Sequence, residues 1–158
     1  MKSEDAPAAA ALPSTARSLP IVLMRARESV MAPIREMLSE SGVTEQQWRL
    51  LRVLAEYGPQ DASRLAERAS IILSSLTRIS RSMIEKGYIR RVIDDEDRRR
   101  YTVSIAPEGQ RILDENLPRA LAIAAAYRAK LGDRDYEALL DLLERLDETR
   151  AADDGDGR

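Results

Sequence analysis

The side chains best equipped for recognition chemistry stand together in the middle of the chain. From Ser74 to Lys86 a helical period puts Leu76, Ile79 and Met83 on one stripe. Ser74, Ser75, Arg78, Arg81 and Ser82 fall on the opposite stripe, with Thr77 at its edge. Arginine can fork onto guanine, and hydroxyls reach phosphates or bases, so such a stripe suits a DNA major groove. Taken alone, it equally fits a solvated helix face. Shortly after it come Asp97, Arg98, Arg99 and Arg100. An arginine on a thin loop can enter the minor groove, where the potential is most negative. Asp97 can pair with a neighbouring arginine and hold it extended. The plain alternative is a flexible charged loop.

Other chemistries are excluded by composition. The 158 residues contain no cysteine and no histidine. That removes disulfides, thiol redox switches, the usual zinc ligand sets, a Cys or Ser–His nucleophile and a histidine pH sensor. Neither a metal nor a cofactor is expected. The acidic residues gather at the loop after Ile93 and in the C-terminal third rather than converging on one point, which argues against an acid/base enzyme.

Charge is uneven along the chain. Residues 1–59 carry 7 basic and 7 acidic side chains, residues 60–105 carry 10 and 7, and residues 106–158 carry 8 and 13. Four of the acids in the central segment are Asp94, Asp95, Glu96 and Asp97, so the rest of that segment is more basic than its sum. A localised basic surface is what phosphate binding needs.

These residues must be held by regular elements, and the punctuation for them is clear. A first helix is expected from Leu19, with Ser18 as its cap and Pro20 in the first turn, ending before Gly42. Pro33 within it removes the usual donor to the Ser29 carbonyl and should bend the axis. Thr44 and Gln47 form a capping-box pattern for a second helix that stops at Gly58-Pro59. Two closely spaced helices follow, the first opening at Asp61 or Ala62 and the second closed by Gly87. The period then changes to two in Tyr88–Ile93 and Arg100–Ile105, a hairpin whose tip is Asp94–Arg99. A long helix from Pro107, interrupted at Pro118, and a last helix capped by Asp133 complete the chain.

The expected fold is therefore mainly α with a small β-hairpin: a winged helix-turn-helix flanked by N- and C-terminal dimerisation helices. One domain is predicted over residues 18–149, with a DNA-binding lobe at about 60–106 and dimerisation helices at about 19–41 and 107–149. Residues 1–17 and 150–158 are expected to be disordered tails. No apolar run approaches the roughly 20 residues of a membrane span, and a cytoplasmic location is expected.

The run Lys86-Gly87-Tyr88-Ile89-Arg90-Arg91, then Asp97-Arg98-Arg99, then Val103-Ser104-Ile105-Ala106-Pro107-Glu108-Gly109 resembles the MarR family of bacterial transcriptional regulators. That family carries K-G-hydrophobic-hydrophobic-x-R, D-x-R and L-T-x-x-G in this order. The likeness covers roughly residues 19–149. It implies that Arg99, the third residue of D-x-R, is the minor-groove arginine. Ile105-Ala106-Pro107 stands where Leu-Thr is commoner, which weakens the cap on the next helix. Ala26-Arg27-Glu28 together with Thr44–Arg49 and Leu51-Arg52 looks like the branch that regulates aromatic-acid catabolism.

The resemblance implies a homodimer on double-stranded DNA. The apolar Leu139–Leu146 run and the alanine-rich Ala120–Ala126 stretch agree with one, although an internal core would account for them too. It also implies a small aromatic acid effector. Arg27, Ser29, Arg35, Trp48 and Arg49 offer suitable groups, since guanidinium forks onto carboxylate and indole stacks on a ring. The expected function is a repressor released from a palindromic operator by an aromatic carboxylate. A sequence-tolerant architectural DNA binder and a winged-helix protein adaptor without effector are the competing readings.

Overall fold

The computed structural model describes residues 14–153. Helix α1 spans Leu19–Ser39, α2 Glu45–Tyr57, α3 Ala62–Arg68 and α4 Leu73–Glu85. Strands β1 (Ile89–Ile93) and β2 (Tyr101–Ile105) follow, then α5 (Pro107–Leu131) and α6 (Asp133–Asp153). The expected order of elements is the observed one. Among the described residues, no helix is long and apolar enough to cross a membrane.

Two helix starts follow from local chemistry. Thr44 and Gln47 make the reciprocal capping box of α2: the Gln47 N–H donates to Thr44 Oγ1 at 3.2 Å and the Thr44 N–H to Gln47 Oε1 at 3.1 Å. Asp61 caps α3 by accepting from the Arg64 N–H at 3.0 Å. Ser18 precedes α1 without a side-chain cap bond, and Ala106 likewise cannot cap α5.

Some boundaries differ from expectation for identifiable reasons. Tyr88 is not part of β1, because its N–H donates to the Met83 carbonyl and finishes the turn in which Gly87 adopts φ +72°. The Arg100 N–H closes the hairpin loop on the Asp97 carbonyl, so β2 begins at Tyr101. Helix α6 continues to Asp153, past the expected end of the domain at 149. At the other end, Thr15–Arg17 form a short 3-10 turn within the segment expected to be disordered. Residues 1–13 and 154–158 of the two expected tails lie outside the described residues.

The hairpin is antiparallel, with Ile89 opposite Ile105, Arg91 opposite Val103 and Ile93 opposite Tyr101. Gln60 adds a one-residue bridge on the far edge of β2: its N–H donates to the Val103 carbonyl at 3.0 Å and its carbonyl accepts from the Val103 N–H at 2.7 Å. This bridge ties the wing to the start of α3.

The core lies under the helix-turn-helix. Leu50, Leu51 and Leu54 of α2, Leu65 of α3, Leu76, Ile79 and Met83 of α4, Ile89 and Val103 of the hairpin and Ile112 of α5 are all buried in one cluster. Gly109 belongs to this packing for a steric reason. A Cβ there would stand 2.1 Å from the Tyr88 carbonyl oxygen, so only glycine lets α5 start against the hairpin. Outside the lobe, α1 and α5 pass through Pro33 and Pro118 respectively as continuous helices. Pro33 leaves the Ser29 carbonyl without its helical donor, yet the Tyr127 hydroxyl donates instead to the next carbonyl, that of Val30.

Candidate functional site

The stripe on α4 divides as its spacing requires. Leu76, Ile79 and Met83 are buried, while Ser74, Thr77, Arg78 and Arg81 are exposed and Ser75 and Ser82 are half-buried. None of the side chains of Ser74, Ser75, Thr77, Arg78 and Arg81 has a hydrogen-bond or ionic partner among the described residues. Ser80, also on this helix, is buried and belongs to the core side.

Beside α4 lies a basic groove formed with β1. Thr77, Arg81, Ile84, Glu85, Arg90 and Arg91 line it, three arginines against one carboxylate. Arg90 Nε donates to Ser104 Oγ at 3.1 Å, and the Arg91 guanidinium stands 4.7 Å from the centroid of the Tyr101 ring. Both arginines are thus braced on the neighbouring strand.

The wing tip is a folded loop rather than a loose one. Asp94 Oδ1 accepts the N–H groups of Glu96 (2.8 Å) and Asp97 (3.2 Å), and the Asp94 N–H donates to the Arg100 carbonyl at 3.0 Å. Those backbone donors hold the Asp94 carboxyl below its usual range. Asp97 Oδ1 accepts from the Arg99 N–H at 3.0 Å, and its carboxylate lies 3.9 Å from the Arg100 guanidinium. The expected bracket is therefore built through the backbone of Arg99 and the side chain of Arg100. The side chains of Arg98 and Arg99 are exposed, with no ionic partner among the described residues.

A second concave site opens between α1, α2 and the end of α3. This cleft of about 320 Å³ is lined by Met31, Ile34, Glu45, Trp48, Arg49 and Arg52, with Val53 and Arg68–Ser70 on its far side. Trp48 is only 6% exposed and belongs to the core, but one edge of it faces the cleft. Arg49 Nη1 donates to the carbonyl oxygens of Ala69 (2.9 Å) and Ser70 (3.2 Å). Arg68 lies 3.9 Å from the centroid of the Tyr57 ring and donates to Gln60 Oε1 at 2.7 Å. Arg52 alone of the three lining arginines has no hydrogen-bond or ionic partner among the described residues.

The remaining candidates lie elsewhere. Arg27 donates to Glu45 at 3.1 Å, and Arg35 donates to Glu45 at 2.9 Å and also to Glu28. The Arg35 hydrogen bond, with the charge of Arg27 beside it, holds the Glu45 carboxyl below its usual range despite partial burial. Ser29 is exposed on α1, and none of Arg27, Ser29 and Arg35 lines the cleft. Arg52, which also lines the cleft, is not among the residues expected from the sequence to bind a ligand. Its spacing of four from Trp48, on one face of α2, was the available signal.

The helices outside the lobe carry exposed apolar surface. Leu139, Leu140, Leu142, Leu143 and Leu146 of α6 are all exposed, as are Leu19, Val22 and Met24 of α1 and Leu117 and Leu121 of α5. The Leu139–Leu146 run is therefore not an internal core of the single chain.

Residues 43–101, from the start of α2 to the start of β2, match the model of the MarR family. The chain is 34% identical over 129 residues to the HTH-type transcriptional regulator FarR of Neisseria gonorrhoeae, covering 82% of this chain and 88% of that protein. It is 35% identical over 131 residues to the homoprotocatechuate degradative operon repressor of Escherichia coli, covering 83% and 86%. The crystal structure of NadR in complex with 4-hydroxyphenylacetate superposes with a TM-score of 0.72 at 33% identity, covering 86% of this chain and 96% of that one. A helix-turn-helix with an arginine-tipped wing, packed on long flanking helices and related at this level along most of its length to two curated transcriptional regulators, establishes that the chain belongs to the MarR family of DNA-binding transcriptional regulators.

Proposed function

We propose that the chain is a homodimeric repressor that binds a palindromic operator and releases it when an aromatic carboxylate enters the cleft beside Trp48. The observation that carries this reading is the arrangement around α2. Arg52 stands free in a cleft with an indole edge, and Arg49, one turn away, is bonded to the turn that leads into α4.

The chemistry follows from those positions. A carboxylate is matched by the Arg52 guanidinium, and an aromatic ring by the edge of Trp48 and the apolar walls of Met31, Ile34 and Val53. An anion in the cleft also competes for Arg49. Weakening the bonds of Arg49 to Ala69 and Ser70 frees the turn that sets the direction of α4. In a dimer, a small reorientation of two recognition helices changes the spacing between half-sites. Arg27 and Arg35 hold the floor of the cleft by fixing Glu45 and take no part in binding the acid.

On the DNA, α4 meets the major groove through Ser74, Ser75, Thr77, Arg78 and Arg81. The wing meets the adjacent minor groove through Arg99, with Arg98 beside it and Asp97 holding the tip in shape. The exposed leucines of α6, with the apolar faces of α1 and α5, form the dimer contact that sets the half-site spacing. Nothing in this mechanism calls for a catalytic step, a metal or a cofactor, and it operates in the cytoplasm, where the operator is.

NadR is bound to 4-hydroxyphenylacetate in its crystal structure, and a repressor of homoprotocatechuate degradation is similar over most of this chain. Both support a phenolic acid of that size as the effector class. The experiment is a titration of hydroxylated phenylacetates and benzoates against the dimer on its operator. Ligand and DNA must weaken each other by the same factor. If no acid of this class changes operator affinity, the effector half of the proposal is wrong.

A further inference from the structure

We infer that Ile72 and Leu73 read thymine: their side chains pack on the C5 methyl groups of the operator in the major groove. The inference rests on the DNA-binding reading above and adds what the first turn of α4 selects.

Both residues are exposed where their helix otherwise buries its apolar side chains. Ile72 is 75% and Leu73 50% exposed, whereas Leu76, Ile79 and Met83 of the same helix are buried. Helix chemistry does not account for them either. Ile72 occupies the N-cap of α4 and provides no side-chain cap bond, while Thr44 and Asp61 at the two preceding helices each accept a backbone N–H. A serine or aspartate would suit the local backbone better than isoleucine. The residue type at position 72 therefore answers to neither capping nor the core of this chain.

Its surroundings select the occupant. From Ser70 to Ile84 the chain has no acidic residue, and the exposed positions after Leu73 are Ser74, Thr77, Arg78 and Arg81. That surface is built for a polyanion. The N-terminal residues of the second helix in a helix-turn-helix are those that meet base edges. Of the four bases, only thymine shows a methyl group in the major groove. Two branched aliphatic side chains at the head of a hydroxyl and arginine stripe thus have one apolar partner within a nucleic acid.

The test removes methyl groups without changing base pairing. A preferred duplex is first selected from a random pool with the full-length dimer, and each thymine is then replaced singly by deoxyuridine. Affinity is expected to fall roughly three- to tenfold at one or two positions in each half-site, the scale of one buried methyl group. In Ile72→Ala or Leu73→Ala, affinity for the unmodified duplex should fall by a similar factor, and the deoxyuridine replacement should then have no further effect. Both side chains are exposed, so the variants should keep the wild-type melting temperature. If every deoxyuridine duplex binds wild type as well as its parent, or if the loss persists in full in both variants, the inference is overturned while the DNA-binding reading stands. If the dimer prefers no duplex over bulk DNA, it is the DNA-binding reading that fails, and the inference goes with it.

Discussion

Arg49 in α2 donates to the carbonyl of Ser70 at 3.2 Å, and Ser70 is the only non-glycine residue with a positive φ among those described. Ser70 sits at φ 51° in the turn between α3 and α4, where the Ile71 N–H reaches back to the Ala66 carbonyl in the manner of a helix C-cap. Glycine is the usual choice at that position, so the turn carries backbone strain of about 1 kcal/mol. The Arg49 guanidinium, which donates to the Ala69 and Ser70 carbonyls at the C-terminal end of α3, offsets it. The bond joins the cleft wall to the turn that precedes α4 through one side chain.

Replacing that side chain should uncouple the two sites. Arg49→Met is expected to lower stability by about 1–2 kcal/mol, as the Ala69 and Ser70 carbonyls lose their donor. It should also reduce the effect of the acid on operator affinity, measured by anisotropy at fixed salt. A variant that responds to effector as fully as wild type would show that Arg49 does not carry the coupling.

Glu45 makes the floor of the cleft sensitive to acid. Its carboxyl is held below the usual range by the hydrogen bond from Arg35 and the charge of Arg27. A depressed carboxylate contributes stability that is present above its unfolded value and is lost as pH falls through its folded value. Glu45→Gln should therefore be destabilising at pH 7, with the difference from wild type closing as the pH falls below the ordinary glutamate value and through the lowered value of Glu45. Urea melts across that range check it. A gap that stays constant with pH contradicts the assignment.

The exposed leucines of α6 should control assembly. Leu139→Glu with Leu143→Glu, both on exposed positions of the single chain, is expected to convert the dimer to monomer in sedimentation at micromolar concentration. Operator affinity should drop by about two orders of magnitude or more as the second half-site is lost. A double variant that still sediments as a dimer places the contact elsewhere.

The wing arginine is best judged by salt. Arg99→Ala should weaken operator binding and make the slope of log affinity against log salt shallower by about one charge. Asp97→Ala should weaken binding less, since it loosens the loop through the Arg99 N–H without removing the cation. An unchanged slope in Arg99→Ala would falsify the minor-groove assignment.

Much of this molecule was legible in its sequence because the signals are local. The Thr44–Gln47 capping box, the Leu76/Ile79/Met83 stripe and the two-residue period of the hairpin each lie within a few positions of one another, and each formed as read. What was missed is long-range. The Gln60 bridge to Val103 is a single residue with no period to announce it. The pairing of Arg27 and Arg35 with Glu45 across two helices likewise has no local signal. A guanidinium looks the same in sequence whether it is spent on an internal carboxylate, as at Arg35, or left free, as at Arg52. Only the packing of α1 on α2 separates those cases.

The most direct test of the account compares wild type with Arg52→Gln on the same operator, with and without a saturating hydroxylated phenylacetate. Wild type should lose about tenfold or more in operator affinity when the acid is present. Arg52→Gln should bind the operator as tightly as wild type does without acid and should show no response to it. Loss of operator affinity in wild type that persists undiminished in Arg52→Gln, or a wild type that ignores the acid altogether, contradicts the account.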